Sequence, residues 1–228
     1  MRLLDTWLKN FIWSGDIHTK KVCTVSWKVL CRPWSSRGLD VKPSRLINES
    51  LMLKLARKLV SSNSQWAILC RRRFLCNGKP SLSYIKSSVW AGVKIHVDIV
   101  LSNSKWVVGL GNVLNVWTDN WLGEPLVDLF QIDLVLHDNF NAKVEDIIVD
   151  GGWNIPASLH FSSHVIALVS SIVLPVLHLL NTLVWLHSPD GNLTFKQAFS
   201  FLQHVAPLLT WSSLILWTYI PPAHSFIF

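Results

Sequence analysis

The sequence predicts an α+β fold that is mostly α, and three observations point that way. Half of its 228 residues are hydrophobic and 15% are charged, enough apolar material to fill a core. Between residues 48 and 74, apolar positions recur at helical spacing beside lysines and arginines. Around residue 106 that period gives way to short β-rich runs broken by glycines and tryptophans. These features divide the chain into a basic helical region over 1–100, a tryptophan-rich hairpin and linker over 101–150, and an apolar C-terminal region over 151–228.

The formal net charge of +7 conceals a segregation. Residues 1–105 hold nineteen of the 21 lysines and arginines against five acids, a net of +14, whereas the remainder has only Lys143 and Lys196 against nine acids, a net of -7. An excess of this size on one half predicts a phosphate-rich partner, with solvated surface charge as the bland alternative. The four cysteines, Cys23, Cys31, Cys70 and Cys76, show no C-x-x-C spacing, and residues 1–13 mix charges into their apolar stretch, unlike a cleavable signal peptide. The expectation is an intracellular chain, in nucleus or cytoplasm and not secreted, whose reduced thiols are buried as small hydrophobes.

Along the chain, Asn48 is a suitable N-cap for a helix running to about Val60, with Leu51, Leu55 and Leu59 on one stripe while Lys54, Arg57 and Lys58 project elsewhere. A second helix starts after Ser64 and sets Trp66, Leu69, Cys70 and Phe74 beside the run Arg71, Arg72 and Arg73, giving an aromatic inner face and a cationic outer one. Strands are expected over 105–108 and 113–117, joined as a hairpin through Gly109, Leu110, Gly111 and Asn112. A phosphate-cradling loop would instead follow a strand and open a helix, so these glycines read as a turn.

No Asp, Glu, Lys or Arg occurs over 151–189, and the run 165–186 would reach about 33 Å as one helix, enough to cross a bilayer core. A membrane span is therefore an alternative reading. Pro175, His178, Asn181 and the pair Ser170 and Ser171 argue against it, as does the lack of flanking cations. Residues 187–192 are turn-forming, and Leu193 to Leu202 reads as a short strand entering a helix.

The block 106–122, WVVGLGNVLNVWTDNWL, carries the sharpest pattern: Trp106, Gly109, Gly111, Trp117, Asp119, Asn120, Trp121 and Leu122. It resembles a tryptophan-glycine block found downstream of the reverse transcriptase in plant non-LTR (LINE-type) retrotransposon polyproteins. Other landmarks of that family resemble segments here in the same order. They include Phe11, Trp13 and Gly15; Lys20 and Lys21; Trp27; Cys31, Arg32 and Pro33; Asn48, Leu51 and Lys54; and Trp66. Further on come Trp153 and Asn154; Ile172 and Pro175; Trp185, Ser188, Gly191, Phe195 and Ala198; and Trp211, Trp217, Ile220, Pro221, Pro222 and Phe226. Gly38 and Leu39 match a family glycine segment only in part, since Arg37 and Asp40 stand where glycines are usual.

The resemblance implies a region between the reverse transcriptase palm and the ribonuclease H domain, ending at the start of a reverse-transcriptase zinc-binding domain. It implies a thumb or connection element lying along RNA, DNA or a hybrid duplex, in a chain that begins after the polymerase carboxylates and stops before the zinc ligands. The residues expected to meet phosphates are Lys54, Arg57, Lys58, Arg71, Arg72 and Arg73, arginine being suited to bidentate contact.

No catalytic residue, metal ligand set or cofactor is expected from the residues themselves. Glu145 and Asp146 form the only adjacent acidic pair and read as solvated. His160 and His164 are spaced to share a helix face but lack a third ligand, and no Gly-x-Ser-x-Gly element occurs. The expectation is a non-catalytic fragment that binds nucleic acid. A membrane-associated or partner-binding remnant using 151–189, or a decayed open reading frame, are the alternatives.

Overall fold

A computed structural model describes residues 2–22, 25–33, 38–76, 78–81, 87, 89–175 and 179–203, and the chain divides into two compact units, residues 1–51 with 198–228 and residues 52–197. Eight α-helices and three two-stranded antiparallel sheets among the described residues make the fold α+β and mostly α, as the sequence predicts. The predicted landmarks Trp211, Trp217, Ile220, Pro221, Pro222 and Phe226, with Cys23, Arg37 and His178, lie outside the described residues.

The first unit contains helix α1 (Arg2–Ser14), the short α2 (Trp27–Leu30) and the opening of α3 (Ser44–Ser61). Helix α3 begins at Ser44 rather than after Asn48. Pro43, whose fixed φ suits a helix entry, precedes it, its carbonyl accepts the Ile47 N–H at 3.1 Å, and Asp5 Oδ1 on α1 accepts the Ser44 N–H at 3.0 Å. The cap thus comes from a side chain 39 residues away. Gly38 lies so close to Arg32 that a Cβ there would sit 2.1 Å from the Arg32 carbonyl oxygen, so this return of the chain requires glycine.

In the second unit, α3 continues with Leu53, Ala56 and Leu59 buried, whereas Leu51 is exposed. The buried face is therefore rotated from the predicted Leu51, Leu55 and Leu59 stripe, because Arg57 turns inward. Its Nη2 donates to the carbonyls of Leu183 at 2.7 Å and Gly191 at 2.9 Å. Helix α4 (Gln65–Phe74) starts after Ser64 as predicted, but it buries Ala67 and leaves Trp66 and Leu69 exposed. The small alanine permits close approach, while Phe74 at the far end stacks on Trp90 with ring centroids 4.6 Å apart.

Strands β1 (Leu75–Cys76) and β2 (Lys79–Pro80) form a two-residue ladder. Helix α5 (Trp90–Ser102) buries Trp90, Val93, His96, Val97 and Val100, a three- and four-residue spacing.

The predicted hairpin does not form. Strand β3 (Ser104–Val107) pairs antiparallel with β6 (Thr182–Trp185), Trp106 opposite Leu183, and not with residues 113–117. Two side-chain devices account for the difference. Asn181 Oδ1 accepts the N–H groups of Gly109 at 2.9 Å and Gly111 at 3.0 Å, and Leu110 donates to the Leu179 carbonyl at 2.9 Å, so the glycine segment is held by the chain leading into β6. Gly109 is packed against that backbone so closely that a Cβ would lie 2.1 Å from the Leu179 oxygen.

Next, Asn115 Oδ1 accepts the N–H groups of Trp117 and Thr118, while Asp119 Oδ2 accepts that of Asn115 at 2.8 Å. These local bonds turn the chain where a strand was expected. Among the described residues, an isolated bridge from Asn115 to Lys143 is what remains of strand pairing there.

The tryptophans of this block build a core. Trp121 is 1% exposed and Trp117 9%, packed with Leu114, Val116, Leu126, Val127, Val144 and Ile147. Trp121 Nε1 donates to the Val116 carbonyl at 2.9 Å, so its polar edge is satisfied, and its ring stacks near Trp153 at 5.7 Å. Trp117 lies among Phe130, Phe140 and Phe161, with centroids 4.7 to 6.2 Å away. The short α6 (Leu126–Leu129), 3-10 turns at Leu134–Asn139, Val144–Ile147 and Ala157–Leu159, and the ladder of β4 (Ile148–Val149) with β5 (Gly152–Trp153) complete this layer.

The uncharged run is not one helix. Helix α7 (Ser163–Ser170) carries it for eight residues, capped at Ser162, whose hydroxyl accepts the Val165 N–H. Ser170 and Ser171 then turn their hydroxyls onto the carbonyls of Ile166 and Leu168, and Pro175 follows without an N–H to continue the helix. The run ends as strand β6. Among the described residues, no helix is long and apolar enough to cross a membrane. The turn at 187–192 forms as expected, with Gly191 at φ +68° donating to Ser188 O. Residues 193–194 are not a strand, and α8 (Phe195–Leu202) follows.

Candidate nucleic-acid interface

All six cations expected to meet phosphates lie on α3 and α4, and the structure separates them into two groups. Arg57 is half-buried and clamps two carbonyls at the β6 turn; desolvation lowers its pKa while nearby Asp190 raises it. Arg71 folds back onto the end of α3, where its Nη1 donates to the carbonyls of Leu59 at 2.7 Å, Val60 at 3.2 Å and Ser62 at 2.6 Å. These are carbonyls that a helix C-terminus leaves without intrahelical partners, so Arg71 acts as a cap supplied by the next helix.

Lys54, Lys58, Arg72 and Arg73 make no ion pair among the described residues, where the ion pairs are Arg45 with Glu49 and Lys143 with Glu145. Lys58, Arg72 and Arg73 are exposed and Lys54 is half-buried. Lys54 and Lys58 share one face of α3 at i, i+4 spacing, about 6 Å apart along the axis. Arg73 lies over the Phe74 ring, 5.6 Å from its centroid. The cations at the end of α4 also sit where the helix dipole is negative, which makes their charge favourable there.

A second polar locus is the landmark Asp119. Its place between tryptophans marks it in the sequence, where no chemical role can be read from its neighbours. In the structure its carboxyl is pushed up to about 6, above the ordinary 3.8, because burial opposes the charge; the hydrogen bond from Asn115 pulls the other way. Asp119 lies where two clefts of about 330 and 340 Å³ adjoin, sharing Gly78, Leu101, Trp106 and Thr118 as walls.

Glu145 and Asp146 are exposed on a 3-10 turn, where Asp146 Oδ2 accepts the Lys143 N–H at 2.8 Å and Glu145 pairs with Lys143 Nζ at 3.3 Å. His160 closes one short turn at φ +47° while His164 sits on α7, so they do not share a helix. Among the described residues no group of three His, Cys, Asp or Glu is placed to hold a metal ion. Burial and Asp5 push the Cys31 thiol up to about 12, which keeps it protonated and unreactive.

Compared with known proteins, the chain is 26% identical over 210 residues to an Arabidopsis thaliana protein named "Putative ribonuclease H protein". The match covers 87% of this chain but 34% of that protein, so the chain spans about a third of its relative's length. No family model matches the chain, and no solved structure matches it significantly.

Proposed function

We propose that this chain is a non-catalytic part of a LINE-type retrotransposon polyprotein and that it lies along nucleic acid by phosphate contact. One observation carries the contact: Lys54, Lys58, Arg72 and Arg73 project from two adjoining helices with no carboxylate partner among the described residues, in the half of the chain that holds nineteen of 21 cations. The ordered family landmarks over most of the chain support the origin, as does likeness to a plant protein named for ribonuclease H. A non-catalytic role is supported by the commitment of Glu145 and Asp146 to a helix cap and an ion pair. Arg57 and Arg71 serve this reading indirectly, by fixing the helices that present the other four.

Fluorescence anisotropy with a labelled RNA–DNA hybrid at several salt concentrations tests the contact. Tight binding at low salt is expected, with affinity falling linearly in log salt. Replacing Lys54, Lys58, Arg72 and Arg73 together by glutamine reduces that slope by about 3 to 4. Absence of binding at low salt, or a slope indifferent to the four replacements, overturns the contact. Magnesium-dependent nucleotide incorporation or strand cleavage by the purified chain overturns the non-catalytic reading.

A further inference from the structure

The adjoining clefts around Trp106 have the opposite electrical character to the helices just described. The first is lined by Asp98 from α5, by Asp119, and by Glu124 and Asp128 from the segment leading into and through α6, against a single lysine, Lys79. Among the described residues, one hydroxyl and one carboxylate oxygen of its lining have no hydrogen-bond partner. Ser104, one of the residues that line this cleft, is 1% exposed, and its buried hydroxyl has no hydrogen-bond partner among the described residues. The Asp119 carboxylate accepts the Asn115 N–H through Oδ2, while Oδ1 receives no donor from the described residues and faces Gly78, where an added Cβ would lie 3.8 Å away.

The wall is rigidly tied. The Trp106 N–H donates to the Asn120 carbonyl at 2.7 Å, and Asn120 Nδ2 donates to the Ser104 carbonyl at 3.0 Å. Asn120 Oδ1 also accepts the Gly123 N–H at 3.0 Å. The Trp106 indole lines both clefts.

A buried hydroxyl and a carboxylate oxygen without donors, ringed by further carboxylates and an indole, suit a group that brings several N–H donors and a positive charge. A phosphate would meet four like charges there. We propose that this cleft is a binding site for an organic cation, a guanidinium or alkylammonium group, held by Asp119 and Ser104 and flanked by Trp106. An arginine or lysine side chain of a partner and a free polyamine share this chemistry.

Titration calorimetry of the full chain at neutral pH with N-acetylargininamide, spermidine and the neutral isostere N-acetylcitrullinamide tests the site. The cations are expected to saturate one site, with N-acetylcitrullinamide at least about tenfold weaker than N-acetylargininamide. Asp119→Asn, which keeps an oxygen for the Asn115 N–H, is expected to weaken the cations at least about tenfold, and Ser104→Ala a few-fold. The exposed pair Glu124→Gln and Asp128→Asn weakens them even if the buried variants fold poorly. Preference for N-acetylargininamide assigns the site to a side chain, and preference for spermidine to a polyamine. Equal uptake of N-acetylcitrullinamide and N-acetylargininamide, or cation binding indifferent to the Glu124 and Asp128 pair, overturns the proposal. Hybrid-duplex binding by these variants is expected to stay unchanged, so the two sites fail independently.

Discussion

The basic helices α3 and α4 and the tryptophan block that follows them are stabilised in different ways. Within the helices, which lie where local spacing predicts helix, the backbone hydrogen bonds close over four residues, and only the ends of α3 draw on Asp5 and Arg71. The tryptophan block closes through single side chains reaching across sequence: Asn181 onto Gly109 and Gly111, and Arg57 onto Leu183 and Gly191, over 70 to 134 residues. Periodicity reports the first kind of order, whereas the second depends on individual hydrogen-bonding groups that no period reveals.

The largest way to break the contrast is to empty the tryptophan core. Trp121→Ala is expected to lower unfolding free energy by about 3 to 5 kcal/mol in chemical denaturation, since the site is fully enclosed. The helical counterpart Trp66→Ala, at a side chain 41% exposed, is expected to change it by under about 1 kcal/mol.

Next comes the arginine contrast. Arg57→Ala leaves two carbonyls without their charged donor, and a loss of about 2 to 3 kcal/mol is expected. Arg72→Ala, exposed on α4, should alter stability by less than about 0.5 kcal/mol while reducing the salt slope of duplex binding by about 1. Equal destabilisation by both would show that the clamp does not form.

Asn181→Ala removes the acceptor of two glycine N–H groups and is expected to cost about 1 to 3 kcal/mol, whereas Asn181→Asp, which retains acceptor oxygens, should largely restore it. Hydrogen exchange at Gly109 and Gly111 reads the effect directly.

The smallest expected effect is at Asp119. Its folded pKa stands above the unfolded value, so folding favours the protonated form: the stability it contributes is complete below about pH 4 and is lost as pH rises through about 6. Asp119→Asn removes that slope. The variant should exceed the parent by on the order of 1 to 2 kcal/mol above about pH 7 and show no advantage near pH 4, in thermal melts across that range.

Much of the helical region was legible in the sequence. Ser64 as the start of α4 and the turn at 187–192 were marked by their residue chemistry. The start of α3 was not, because its cap is Asp5, a residue with no local relation to Ser44. The hairpin reading failed for a related reason: glycines and alternating apolar residues specify a turn between strands only if the intervening N–H groups are free to pair, and Asn181 occupies them. The strand that pairs with β3 was hidden in an uncharged run whose hydropathy suits a helix equally well.

For the candidate interface, sequence placed all six cations on helices but gave no means to see that Arg57 and Arg71 grip carbonyls. The role of Asp119 in the cleft needed the third dimension entirely, since its neighbours Ser104, Asp98 and Asp128 come from separate segments.

The pairing of β3 with β6 sets the order of events on the ribosome. Strand β3 ends at Val107 and its partner begins at Thr182, so at about 5 to 20 residues per second of synthesis the strand waits roughly 4 to 15 s with its edge bare. The inward guanidinium of Arg57 waits longer still for the Gly191 carbonyl. Closure of this unit therefore waits until Gly191 has left the exit tunnel, and over that interval the emerging tryptophan-rich segment lacks the partners that cover it in the folded unit.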